Sequence, residues 1–201
     1  MPRPTRAESQ ARTRQRLLAT ARELFLRDGY AATSLEKVAD AAGFSKGAVY
    51  SNFRGKNELC LAVLDAIHAE QAEELATALA GAGTLDGTLA ALRAWAERSI
   101  GDEEWTALEV EFATNARHDP VVRRELASRA AAVRARIAEL VEAHAARFDL
   151  TLPLPAPDCA AALLGMGIGL GVQRAIDPDV PVGVLPDVLR LLATPRQPRE
   201  T

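Results

Sequence analysis

The chain is poor in the residues on which disulfide-rich, metal-binding and many catalytic proteins depend. Two cysteines and three histidines occur in 201 residues. Cys60 and Cys159 are too few to build a disulfide framework, and neither has metal-ligand spacing. His68, His118 and His144 are equally dispersed. We therefore predict two small, buried, unreactive thiols, no metal and no cofactor.

Long apolar runs and catalytic sequence motifs are also missing. No stretch has 18 uninterrupted apolar residues, so we expect no membrane span. The arginine-rich N-terminus lacks the apolar core of a signal peptide, which predicts a cytoplasmic protein. The chain has no His-Glu-x-x-His, no Gly-x-Ser-x-Gly and no strand-linked Gly-x-Gly-x-x-Gly. We therefore predict no enzyme and no catalytic residue.

Charge is present but unevenly distributed. Residues 1–60 hold 11 Lys+Arg and 6 Asp+Glu, a net of +5, whereas residues 61–201 have a net of −8. A basic end on an acidic body is typical of a DNA-binding head attached to a body that stays off DNA. The charge count alone also allows a chance asymmetry.

Residues 33–53 predict two short helices joined by a tight turn. Thr33 followed by Glu36 forms a capping box, which predicts a helix starting at Ser34. Gly43 ends that helix, because glycine tolerates the left-handed conformation that a helix C-terminus often needs. Its apolar face consists of Leu35, Val38, Ala39 and Ala42.

The second short helix is predicted to begin at Ser45, a favourable N-cap. Val49 and Phe53, four residues apart, would bury one side of it. The outward side would carry Lys46, Gly47, Ala48, Tyr50 and Ser51. Helix, glycine turn and helix together form a helix-turn-helix, whose second helix enters the major groove of DNA.

This stretch and its flanks resemble the tetracycline-repressor (TetR) family of bacterial regulators over about residues 11–65. The resemblance is carried by Leu18–Phe25, by Asp28-Gly29-Tyr30 and by the junction Tyr50–Leu59. Asn52 departs from the pattern, since many relatives carry histidine there. The resemblance implies an all-α fold of about nine helices, with a three-helix DNA-binding domain at 1–57 and a helical ligand-binding and dimerisation domain at 58–201.

The family pattern also implies where DNA would be bound. Lys46, Tyr50 and Lys56 match positions at which family members meet DNA, and Asn52, like histidine, could donate to a phosphate. The predicted DNA-binding set is Thr33, Ser34, Ser45, Lys46, Gly47, Ala48, Tyr50, Asn52 and Lys56. The expected partner is a double-stranded, palindromic operator.

Apolar periodicity and breakers predict the remaining helices. They cover about 11–27, 56–80, 86–99, 103–117, 120–148, 158–175 and 182–193, with Pro186 as a second possible start of the last helix. Residues 1–10 are expected to be disordered, either as a basic arm on DNA or as a solvated tail. Glycines recur over residues 165–171, and each destabilises a helix by about 1 kcal/mol relative to alanine. This cost suggests that another helix approaches closely at these positions. Since Gly169–Gln173 also resembles the family's eighth helix, we expect a homodimer through helices 8 and 9.

Aromatic and polar residues on apolar helix faces suggest a small-molecule site. Trp105, Glu109 and Phe112 share one face of helix 6, and helix 4 carries His68 on its apolar stripe. The proposed ligand-binding set is His68, Gln71, Trp105, Glu109, Phe112, His144 and Met166. The ligand would be hydrophobic or amphipathic, and cationic if Glu109 is ionised and otherwise unpaired. A solid core is the competing interpretation for these residues.

The function that fits these features is a ligand-responsive transcriptional regulator, most simply a repressor released from DNA by its effector. The alternative is a DNA-binding regulator without a small-molecule ligand, controlled by a protein partner or constitutive. The sequence does not distinguish between the two.

Overall fold

The computed structural model describes residues 5–195, and this part of the chain folds into nine helices. They are α1 Arg6–Ala32, α2 Leu35–Ala42, α3 Lys46–Tyr50, α4 Lys56–Ala80, α5 Leu85–Ser99, α6 Glu103–Ala116, α7 Pro120–Arg147, α8 Ala156–Ile176 and α9 Val184–Leu192. The all-α fold is confirmed. Two additional two-residue strands, β1 Leu150–Thr151 and β2 Thr194–Pro195, pair antiparallel.

The chain divides into two compact units. The first comprises the described residues up to Glu70 together with Ala107–Val122, and the second comprises Gln71–Thr106 and the described residues from Arg123 onwards. Helices α4, α6 and α7 therefore contribute residues to both units. The functional boundary at residue 57, expected from the family resemblance, stays a prediction.

The core of the first unit is built from regularly spaced apolar positions on α1, α2 and α3 and on the first half of α4. Helix α1 buries Leu17, Ala21, Leu24 and Phe25, and α4 buries Leu59, Cys60, Val63, Leu64 and Ile67. Val38, Val49 and Phe53 complete the core from the helix-turn-helix. Truncating a buried phenylalanine typically costs about 3–5 kcal/mol, so this core is what keeps the short helices in place.

Helix α1 begins five residues earlier than its apolar stripe predicts. The Thr5 hydroxyl accepts from the Glu8 backbone N–H at 3.2 Å, and the Glu8 carboxylate accepts from the Thr5 N–H at 2.7 Å. This reciprocal capping box starts the helix at Arg6. The expectation that residues 1–10 are disordered is therefore wrong for residues 6–10, while residues 1–4 lie outside the described part of the chain.

The second unit packs α5 against α9. Its core contains Ala96, Ile100, Val182 and Leu185, with partly buried side chains from α5, α8 and α9 around them. Pro186 is buried in the first turn of α9, where its missing N–H costs no helical hydrogen bond, and the helix begins two residues before it.

Helix α8 is, among the described helices, the one long and apolar enough by length and composition to span a membrane. It has 21 residues, and its most apolar 18-residue stretch, of which 11% is buried, has a mean hydropathy of 1.5. The expectation of no membrane span stays a prediction, since it rests on uninterrupted apolar runs, and glycines, Gln173 and Arg174 interrupt this one. Exposed apolar surface of this kind commonly marks a site of contact with another molecule.

Candidate nucleic-acid interface and ligand site

The two helices of the helix-turn-helix are closed by side-chain and glycine caps. The Ser34 hydroxyl accepts from the Lys37 N–H at 3.1 Å, and the Ser45 hydroxyl accepts from the Ala48 N–H at 3.3 Å. Gly43, with φ +73°, ends α2 in the left-handed region. The fold of this segment is therefore the one that the sequence predicts, with α2 starting one residue later.

Thr33 has a different role from the one predicted. Its side chain is only 1% exposed, and its hydroxyl donates to the Gly29 carbonyl at 2.8 Å. The cap of α2 is Ser34, because Thr33 turns back to close the end of α1. A side chain so buried has no surface to offer a phosphate, so Thr33 is removed from the DNA-binding set.

The outward face of α3 is open. Tyr50 is 56% exposed, Lys46, Gly47 and Ser51 are exposed, and Ala48 is half-buried. On the opposite side Val49 and Phe53 are buried, as predicted. An exposed aromatic beside two small residues leaves a smooth surface that can approach another molecule closely.

Lys46 is paired with a carboxylate of the preceding helix. Its Nζ lies 3.3 Å from Oε1 of Glu36. The pKa of Glu36 lies below its usual value, because of a hydrogen bond from its own backbone and then because of Lys46. The pair is exposed, so Lys46 can exchange this partner for another acceptor at little cost.

Two further predicted DNA contacts are engaged inside the protein. Asn52 Nδ2 donates to the Ala48 carbonyl at 2.8 Å and lies 3.3 Å from the Ser51 hydroxyl, so both its donors close the end of α3. Lys56 Nζ donates to the Ala31 carbonyl at 3.2 Å and lies 4.1 Å from the centre of the Tyr30 ring. Burial lowers the pKa of Lys56.

Two arginines of α1 support the helix-turn-helix, and the sequence analysis did not identify them. The Arg14 guanidinium lies over the Phe53 ring at 4.1 Å and donates to the Asn52 carbonyl. Arg16 lies over Phe44 at 5.0 Å and reaches the Ala42 carbonyl at 3.4 Å. Cations suit these helix C-termini, where carbonyl groups accumulate negative charge. In the sequence, these two arginines are part of an arginine-rich N-terminus, and that composition does not specify which residues they contact.

Of the predicted ligand-binding residues, His68 and Glu109 are brought together. His68 Nε2 lies 2.6 Å from Glu109 Oε1, and both side chains are half-buried. The hydrogen bond to Glu109 raises the pKa of His68, against the effect of burial. Glu109 is therefore not an unpaired carboxylate, and the condition under which we expected a cationic ligand is not met.

The other predicted ligand-binding residues are found in different settings. In the first unit, Phe112 is buried with its ring edge-on to Tyr30 at 5.1 Å. In the second unit, His144 Nδ1 donates to the Leu140 carbonyl at 2.8 Å, and Met166 packs against the core of α5 and α9. Gln71 and Trp105 are half-buried in that unit. A single cavity lined by all seven residues stays a prediction.

Sequence comparisons connect these features to known proteins. Residues 17–63 match the family model "Bacterial regulatory proteins, tetR family", and residues 85–192 match "BetI-type transcriptional repressor, C-terminal". The chain is 30% identical over 154 residues to the HTH-type transcriptional repressor Rv1474c of Mycobacterium tuberculosis, covering 75% of this chain and 77% of the relative. The chain belongs to the TetR family.

Other relatives support the same assignment over shorter lengths or in structure alone. The probable HTH-type transcriptional regulator ArpR of Pseudomonas putida is 38% identical over 86 residues, 43% of this chain and 40% of ArpR. The alignment thus spans less than half of that relative. The crystal structure of reduced E. coli NemR has a TM-score of 0.75 at 20% identity, covering 92% of this chain and 100% of NemR, which shows the shared fold.

The matched N-terminal model is that of bacterial regulatory proteins, and the named relatives are HTH-type transcriptional regulators. The helix-turn-helix of α2 and α3 lies within the matched N-terminal region.

The two cysteines of the chain match the prediction of buried, unreactive thiols only in part. Cys60 is buried and burial raises its pKa to about 12, whereas Cys159 is half-buried and donates to the Leu154 carbonyl.

Proposed function

We propose that this TetR-family regulator is a repressor that binds a palindromic operator as a homodimer and leaves it when a small molecule binds. The observation that carries the proposal is the exposed outer face of α3, supported from behind by the buried Val49 and Phe53. Such a face is available to the major groove without any rearrangement of the core.

On DNA, Lys46 would approach the bases and Lys56 would contact a phosphate at the N-terminus of α4. Gly47 and Ala48 add little bulk, which would let α3 lie close to the groove. Two heads of a dimer would occupy half-sites about 34–36 Å apart, which is one turn of B-DNA. Ser34, Ser45, Tyr50 and Asn52 remain in the proposed interface.

The homodimer would form through α8 and α9, and glycine placement supports this proposal. A Cβ at Gly165, Gly167 or Gly169 would have no heavy atom within 4 Å in the described part of the chain. Contacts within the protomer therefore do not account for three residues that weaken the helix. Large apolar side chains are also exposed on these helices, among them Ile168 (56%), Ile176 (81%) and Leu191 (81%). An apolar surface rich in small residues is what a second copy of the same helices would cover.

The effector site would be built from the predicted ligand-binding set, and its ligand would be hydrophobic or amphipathic. Because Glu109 is paired with His68, we propose a ligand that uses this pair as a hydrogen-bonding group rather than one that brings its own cation. Ligand and operator would oppose each other by linkage, each weakening the binding of the other. The alternative remains a regulator controlled by a protein partner.

A regulator of this kind acts in the cytoplasm and needs no catalytic chemistry. In our proposal residues 1–57 carry DNA recognition and residues 58–201 carry ligand binding and dimerisation.

The proposed function is tested by selecting duplexes from a random-sequence pool with the wild-type protein. We expect enrichment of an inverted repeat, bound by two protomers. Lys46→Ala should weaken binding to the selected duplex more than to random DNA. Enrichment of no sequence would refute an operator-specific regulator. A thermal-shift screen with apolar and amphipathic compounds then tests the effector, and a wild type that responds to none of them would favour control by a protein partner.

A further inference from the structure

A carboxylate of α6 is bound to the backbone where α1 ends and the turn to α2 begins. The Tyr30 N–H donates to Oε2 of Glu111 at 2.6 Å, and the Ala31 N–H donates to Oε1 at 2.8 Å. One side chain, distant in sequence, thus satisfies two adjacent peptide groups. Hydrogen bonds to an ionised acceptor are about twice as strong as those between neutral groups.

Gly29 makes this contact possible for two reasons. Its φ of +82° and ψ of 170° interrupt the helical conformation of α1, which releases the following N–H groups from the regular helical pattern. A Cβ at this position would lie 2.9 Å from Oε2 of Glu111, closer than real Cβ contacts allow. The glycine therefore suits both the backbone conformation and the approach of the carboxylate.

The same two residues are held from α4 as well. Lys56 donates to the Ala31 carbonyl at 3.2 Å, and the Tyr30 hydroxyl hydrogen bonds to the Asn57 side chain. Phe112, next to Glu111, packs edge-on against the Tyr30 ring. Residues 30 and 31 are thus the point at which both α4 and α6 contact the DNA-binding helices, and they lie three to four residues before the cap of α2 at Ser34.

We propose that Glu111 is a positioning residue for DNA recognition, which fixes the end of α1, and with it the helix-turn-helix, to α6. The proposal rests on the proposed operator binding. Without Glu111 the head would occupy its binding-competent orientation for only a fraction of the time, and the apparent affinity would fall to that fraction of its intrinsic value. A ligand that displaced α6 would reach the DNA-binding surface through this contact.

The test compares Glu111→Gln with Glu23→Gln, an exposed glutamate of α1 in the same unit. Both substitutions remove one negative charge, which by electrostatics alone should strengthen binding to DNA. Glutamine has one oxygen, so it keeps one of the two hydrogen bonds and turns an NH₂ group towards the other N–H. We expect Glu111→Gln to bind the selected duplex about tenfold more weakly, because the apparent Kd rises as the competent fraction falls. Glu23→Gln should bind as tightly as the wild type or more tightly.

Two further measurements separate positioning from loss of a DNA contact or of the fold. The salt dependence of binding should be unchanged in Glu111→Gln, since no phosphate contact is removed. Amide exchange followed by NMR should be faster at Tyr30 and Ala31 in Glu111→Gln and unchanged in Glu23→Gln. Glu111→Asp keeps the charge on a shorter side chain. It should also weaken duplex binding and speed amide exchange at Tyr30 and Ala31, but less than Glu111→Gln does. This variant keeps the test available if the glutamine variant folds poorly.

The proposal is overturned if Glu111→Gln binds the duplex as tightly as Glu23→Gln, or if exchange at Tyr30 and Ala31 is unchanged. Either result would leave the proposed function intact, because the wild type and Lys46→Ala test that independently. A wild type that selects no duplex would overturn both.

Discussion

Replacing Gly169 by leucine is expected to separate the proposed dimer while leaving the protomer folded. In the described part of the chain, a side chain at this position has open space around it. Within the protomer the change should stabilise α8, since glycine costs about 1 kcal/mol relative to better helix formers. At a close interface between two copies of α8, the same side chain would collide with its partner.

The size of the effect follows from the two-fold symmetry of the proposed dimer. Overpacking typically costs about 1–3 kcal/mol per site, and a two-fold interface contains the site twice. The total of about 2–6 kcal/mol corresponds to a rise of roughly 30-fold to 10⁴-fold in the dimer Kd, at about 1.4 kcal/mol for each factor of ten. Sedimentation equilibrium at micromolar concentration should then show monomer, and operator binding should weaken sharply.

Gly171 lies two residues further along the same helix and provides a control. Its Cβ would meet Gly101 N at 3.7 Å and Ile100 Cγ2 at 3.8 Å, which are ordinary contacts inside the protomer. Gly171→Ala should therefore leave the dimer intact. If Gly169→Leu remains fully dimeric, the interface does not involve this face of α8, and the reasoning from the glycines is refuted.

Three further predictions concern charge, pH and the ligand site. Lys56→Ala should weaken binding to all duplexes alike and lower the salt slope by about one; a changed sequence preference at the wild-type slope would contradict this. Because the folded-state pKa of His68 is raised, its pairing with Glu109 should contribute fully to the free energy of unfolding below about pH 6.5 and be lost as pH rises through the raised pKa. Urea unfolding across this range should show that loss in the wild type but not in Glu109→Gln, and an equal slope in both would refute it. Trp105→Ala should lower the free energy of unfolding by about 3–5 kcal/mol if the side chain packs in a solid core. If the side chain lines a cavity, the loss should be smaller, and the ligand response should weaken while operator affinity stays intact. Gross instability, with no compound shifting the wild type's melting temperature, would remove Trp105 from a ligand site.

Local signals in the sequence predicted the helix-turn-helix well. Ser45, Gly43 and the apolar spacing of Val49 and Phe53 act through neighbouring residues, so they are visible without tertiary information. The same kind of signal, Thr5 followed by Glu8, is present at the start of α1, but Pro2 and Pro4 close by favour a disordered segment there.

The errors arose where tertiary contacts decide between local alternatives. Thr33 and Ser34 can both cap a helix, and burial of Thr33 against α1 settles the choice. The pairing of His68 with Glu109 depends on the relative register of α4 and α6, which periodicity does not give. Glu111 binds backbone N–H groups, and these exist at nearly every residue, so no sequence pattern marked it.

The division of α3 into two faces has a consequence for how such regulators diversify. An isolated five-residue helix is not stable in water, so Val49 and Phe53 must hold it in place through the core. The outward positions, Lys46, Gly47 and Tyr50, contribute little to that core and can be exchanged one at a time without loss of folding. A duplicated copy of the gene could thus acquire a new target sequence through single substitutions, with every intermediate remaining a folded protein.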